Sequence, residues 1–101
     1  MKRSEVLSIA DSLISKDRQN DYGNPADNFS NTAVRWSQIL KTQIQDWQVA
    51  LMMADLKIAR IATSGIPTPD SFIDLAGYAA LSQELASNNL ESPTPTKTND
   101  Y

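Results

Sequence analysis

Four charged residues stand inside apolar helical patterns, and their spacing asks for a chemical reason. In VALMMADLKIAR, Lys57 and Arg60 are three residues apart and share a helix face bordered by Met53 and Leu56. In DSFIDLAGYAAL, Asp70 and Asp74 are four apart, so their carboxylates stack on one face and repel unless a cation lies beside them. Asp70 is explained by the preference for negative charge in a first helical turn; Asp74 is not. Lys57 and Arg60 either lay their stems on the core with heads in water, pair with Asp70 and Asp74 across two helices, or form a cationic edge suited to phosphate. A Mg²⁺ beside the two aspartates would need a phosphate ligand to complete its shell.

A second candidate lies in RQNDYGNPADNF. These are ordinary residues for a helix–helix connection. They also place Tyr22, a ring able to stack on a nucleobase, among Arg18, Asn24 and Asn28 as polar contacts. Further on, Gly77 costs a helix about 1 kcal/mol relative to alanine. Such a glycine usually admits another backbone or a ligand, so the Gly77–Tyr78 step marks a possible approach. Trp36 and Trp47 suit the core or an interface.

The composition narrows the chemistry. With no cysteine and no histidine, thiol catalysis, disulfides, Cys/His zinc sites and the usual neutral-pH general base are absent. Any metal would be a hard cation held by carboxylates. A net charge of −3 argues against nucleic-acid polymers as partners, but not against a small anion held by local cations. No segment has the pattern of a signal peptide or the apolar length of a membrane span, so a cytoplasmic protein is expected. At 101 residues the chain makes one small domain, for which self-association is a reasonable expectation.

The elements that must position these residues are four helices, with no credible strand. The first runs from about Glu5 to Asp17 with Ser4 as N-cap; Val6, Ile9, Ala10, Leu13 and Ile14 form its apolar face. The second starts with Asn24 as cap and Pro25 at the first position; Phe29, Ala33, Trp36 and Leu40 make its stripe and Ile39 widens it. Lys41 follows near its C-terminal end, where a cation suits the helix dipole.

The third is expected from an N-cap at Asp46 to about Thr63, with Gly65 beyond. Val49, Leu51, Met52, Met53, Leu56, Ile58 and Ile61 make it apolar all round, which predicts a central, enclosed helix. The fourth has Thr68 as cap and Pro69 first, and continues to about Ser87 with Phe72, Ile73, Ala76, Ala80 and Leu81 as its apolar face. The division is an all-α domain over 1–87 and a polar, Pro/Thr-rich flexible tail over 88–101.

Taken together, the segments RQNDYGNPADNF, AVRWSQIL, VALMMADLKIAR and DSFIDLAGYAAL resemble a family of small uncharacterised phage domains. The pattern, close to R-x3-YG-x-P-x2-NF, then LK-x-AR, then D-x3-D-x-AGY, spans Arg18 to Leu85. More distantly the chain resembles the MazG-like all-α nucleotide pyrophosphatases, which implies a helical, oligomeric bundle. That family holds Mg²⁺ with an E-x-x-E pair on one helix and an E-x-x-D pair on the next. Here Asp74 matches the last acid, Ser71 replaces its partner with Asp70 nearby, and Asp55 stands alone between Met52 and Ile58.

The resemblance therefore implies either of two activities. One is a non-catalytic holder of a cyclic-nucleotide or ADP-ribose-type signal without cofactor, with Arg18, Tyr22, Asn24, Asn28, Lys57, Arg60, Asp74 and Tyr78 as its site. The phage likeness adds a counter-defence role of sequestering that signal. The other is a Mg²⁺-dependent pyrophosphatase with Asp55, Asp70 and Asp74 as ligands. A helical interaction module, whose charges only pair with one another, is the third reading.

Overall fold

A computed structural model describes residues 1–17 and 25–89, and among them every element is helical. Helix α1 spans Arg3–Ser12 and passes into a π-helical turn over Leu13–Asp17. Helices α2, α3 and α4 span Pro25–Leu40, Asp46–Ser64 and Pro69–Asn89. The expected flexible tail lies outside the described residues from 90 onward. Helix α4 runs through Asn89, past the expected end at Ser87. No helix among the described residues is long and apolar enough to cross a membrane.

Each helix end shows how its local sequence sets it. Lys2, not Ser4, is the N-cap of α1: its N–H donates to Glu5 Oε1 at 2.9 Å and its carbonyl accepts from Glu5 and Val6. A carboxylate in the first turn also suits the dipole, which offsets the lack of a capping hydroxyl. Helix α3 begins one residue earlier in phase than expected, with Gln45 as N-cap. The Gln45 N–H donates to Gln48 Oε1 at 2.8 Å, and Asp46 is already helical.

Helix α2 ends where Lys41 takes the left-handed conformation at φ 55° and the Thr42 N–H donates to the Ser37 carbonyl at 3.2 Å. Ser37 then holds the connection, its hydroxyl donating to the Ala33 carbonyl and accepting from the Ile44 N–H at 2.8 Å. At the end of α3 the left-handed position is filled by Gly65 at φ 71°. Four residues on, Pro69 opens α4.

That short connection folds α3 and α4 into an antiparallel hairpin, the centre of the molecule. Helix α1 packs on α4, and α2 packs on α3. Small residues of α3 line the hairpin: Ala50 and Ala54 are buried, and Val49, Ile73 and Leu85 are buried with them. At its far end the buried Ser82 hydroxyl donates to the Trp47 carbonyl at 2.8 Å.

Two expectations change. Helix α3 is not enclosed: α4 and α2 cover one side, while Leu51, Met52, Leu56 and Ile58 keep 51%, 43%, 41% and 50% of their surface exposed. Two neighbours cannot wrap a helix that is apolar on every side. The stripes of the other helices are also left open at their margins, at Ile9 on α1, Ile39 and Leu40 on α2, and Phe72 and Ala80 on α4.

Gly77 admits a neighbouring side chain. A Cβ there would meet Ile14 Cγ2 at 3.2 Å, so the glycine lets the π-helical turn after α1 settle against α4. Gly77→Ala should leave stability within about 1 kcal/mol of wild type, because a propensity gain of about 1 kcal/mol opposes the crowding. Gly77→Leu should cost about 2 kcal/mol or more and free α1. Ser82→Ala should cost about 1 kcal/mol. Urea unfolding followed by circular dichroism measures all three.

Candidate functional site

The helical repeat decides which charges of α3 face inward. Lys57 falls on the side turned to α4, in line with Ala50 and Ala54, and its side chain is only 15% exposed. Arg60, a turn later but rotated outward, is exposed. On α4, Asp74 lies a turn after Asp70 and a turn before Tyr78. Antiparallel pairing brings Asp74 level with Lys57, and Lys57 Nζ lies 3.1 Å from Asp74 Oδ2, the carboxylate side chain being 26% exposed. The pairing expected across the hairpin is thus made by Lys57, while Arg60 has no ion pair among the described residues.

Next to this pair the half-buried Tyr78 meets Phe29 of α2 edge to face, with ring centroids 6.3 Å apart and planes at 76°. Such a contact suits the quadrupoles of two rings and locks Tyr78 in place. Asn28, adjacent to Phe29, is exposed near the start of α2, and its carbonyl accepts the Thr32 hydroxyl at 2.9 Å. Three helices therefore converge on a paired cation, a carboxylate and an oriented phenol. Arg18, Tyr22 and Asn24 lie outside the described residues.

Among the described residues the three acids of the metal reading are not assembled. Asp55 is two residues from Lys57, hence about 160° around α3, and it faces away from the hairpin. Asp70 is exposed at the start of α4. No group of three acids able to hold a metal ion occurs among the described residues. Sharing one helix with Lys57 does not give Asp55 a share of the same face.

The sequence reading missed Phe29 as a partner of Tyr78, having placed it only in the core stripe. The signal was present, since Phe29 ends the segment that contains Asn28. It also gave no weight to Ser82, whose type and position are ordinary within a helix. Every buried side-chain polar atom among the described residues has a hydrogen-bond partner, so no orphaned group inside the hairpin demands a ligand.

Comparisons with known proteins show the family. Residues 5–86 match a family described as Domain of unknown function (DUF6378). The chain is similar to the Gene 55 protein of Mycobacterium phage D29, 37% identical over 86 residues that cover 85% of this chain and 56% of that protein. It is also similar to the Gene 55 protein of Mycobacterium phage L5, 32% identical over 81 residues covering 79% and 51%. The chain spans about half the length of these curated relatives. No solved structure matches. These matches carry the likeness to phage domains and say nothing of the MazG-like one. With its helices matched from Glu5 to Ala86, the chain belongs to the DUF6378 family, a domain of unknown function found in phage proteins.

Proposed function

We propose that this domain is a non-catalytic binder of a small nucleotide-derived anion, with its site where α2, α3 and α4 meet. The observation that carries this reading is the half-buried Lys57–Asp74 pair beside Tyr78 and Phe29. A partly buried ion pair contributes little net stability, because desolvation offsets attraction. Its place in the hairpin therefore calls for another reason.

Lys57 has three N–H donors and Asp74 engages one of them, so the ammonium is oriented and still able to reach a phosphate oxygen. Tyr78 offers a ring at this junction, and Asn28 precedes its partner Phe29 on α2. Arg18, Tyr22 and Asn24, outside the described residues, are further contacts this reading assigns to the ligand. Arg60 is not required. The described acids, separated around α3 and along α4, favour holding over metal-assisted cleavage.

The likeness to mycobacteriophage proteins sets the context in which we place this binding. A phage-encoded protein that holds a host cyclic-nucleotide or ADP-ribose-type signal without cutting it would blunt the response that signal triggers. A second reading is favoured by the satisfaction of every buried polar side-chain atom among the described residues: a helical interaction module in which Lys57 and Asp74 serve only each other.

Isothermal titration with cyclic di- and trinucleotides and cyclic ADP-ribose isomers separates the two. Binding that falls at least about ten-fold in Lys57→Met and in Tyr78→Ala supports the site, since ten-fold is the value of one good polar contact. Silence across the whole panel sinks it. A double-mutant cycle on Lys57→Met and Asp74→Ala then reads the pair itself. The interaction-module reading expects coupling of about 1 kcal/mol or more in unfolding experiments without ligand.

A further inference from the structure

We propose that Asp74 selects the charge of the ligand: the site takes a phosphate carrying one negative charge, as a cyclic or internal diester does, and refuses a terminal phosphate carrying nearly two. The inference rests on the binding reading above. It adds what that reading leaves open, the class of phosphate that Lys57 can hold.

The charge balance of the hairpin carries it. Lys57 Nζ and Asp74 Oδ2 are 3.1 Å apart, and their side chains are 15% and 26% exposed, so cation and carboxylate reach solvent together. An anion that approaches the ammonium also approaches the carboxylate. Ionised, that carboxylate only accepts hydrogen bonds and has no proton to offer a phosphate oxygen.

The neighbouring charges do not alter this balance. Arg60 follows Lys57 by three residues and Asp70 precedes Asp74 by four. Both are exposed, both lie toward the connection between α3 and α4, and their signs are opposite. On α2, the exposed Asp27 stands two residues before Phe29 and adds a further carboxylate. The described charges therefore leave no positive surplus around the ammonium.

A site without that surplus sorts anions by their charge. Leaving water costs an anion in proportion to the square of its charge, whereas attraction to one ammonium grows only in proportion to the charge. Asp74 cancels part of that attraction, so a second negative charge costs more than it gains. A diester ionises once, but a terminal phosphate carries about −1.5 to −2 at neutral pH. Tyr78, one turn beyond Asp74 and held against Phe29, adds a ring to this junction and no compensating cation.

Isothermal titration of the full chain with matched ligands tests the proposal. Cyclic di-AMP and cyclic tri-AMP are each compared with the ring-opened linear form, which ends in a terminal phosphate. Cyclic ADP-ribose is compared with the same molecule bearing an added phosphate monoester. In any pair that binds, the member without a terminal phosphate should bind at least about ten-fold more tightly. Asp74→Asn keeps an oxygen for Lys57 and removes the charge. It should narrow the gap several-fold by strengthening the more highly charged member, a change that a preference for shape would not show. Equal binding within a pair overturns the inference and leaves the binding reading standing, as does a gap unchanged in an Asp74→Asn protein of native circular dichroism. Silence from every probe overturns both. If Asp74→Asn does not fold, methylating the terminal phosphate removes the same charge from the ligand instead. The methyl ester should regain the lost affinity, and its failure to do so overturns the inference.

Discussion

The close approach of α3 and α4 is the constraint on which the other contacts rest. Two helices can lie this near only if neither pushes a bulky side chain into the gap. Here the buried Ala50 and Ala54 of α3 put only methyl groups into that gap. The short connection after Gly65 fixes the direction of return, and Ser82 ties the opposite end to the Trp47 carbonyl. Held at both ends, the hairpin has one register, and that register alone puts Lys57 level with Asp74. A slip of one residue on α4 would swing Asp74 about 100° away from the ammonium.

The same choice of small residues has a consequence at the surface. Four of the nine buried described residues are alanines, two more are Gly77 and Ser82, and only Val49, Ile73 and Leu85 are larger apolar side chains. Such a core supplies modest hydrophobic stabilisation, since burial scales with apolar area. The larger apolar residues of α3 are displaced to its far side, where Leu51, Met52, Leu56 and Ile58 meet solvent. Small residues inside the hairpin and large exposed ones outside it are two results of one distribution of side-chain sizes.

Much of the fold was legible in the sequence, and the failures are informative. The helices at Pro25 and Pro69 begin where the prolines predict, because a missing N–H costs nothing in a first turn. Gly65 ends α3 as a residue that reaches positive φ without strain. The N-caps went differently: Lys2 and Gln45 occupy them, with Glu5 and Gln48 reaching back to their N–H groups. Hydroxyl and carboxylate caps are preferences, and a side chain three residues on can satisfy the same backbone donor.

In the candidate site, the facing of Lys57 and Asp74 was within reach of sequence reasoning, since a hairpin of two helices with counted offsets fixes which turns are level. The separation of Asp55 from the other acids follows from the same counting. What the amino-acid sequence by itself determined was the set of four helices, their approximate ends and the residues that share each face. Only the tertiary structure decided which side of α3 is covered. A helix apolar on every side carries no direction in its periodicity, so its inward face is set by where its neighbours can pack. Those neighbours chose the side with Ala50 and Ala54, where two backbones can approach closely.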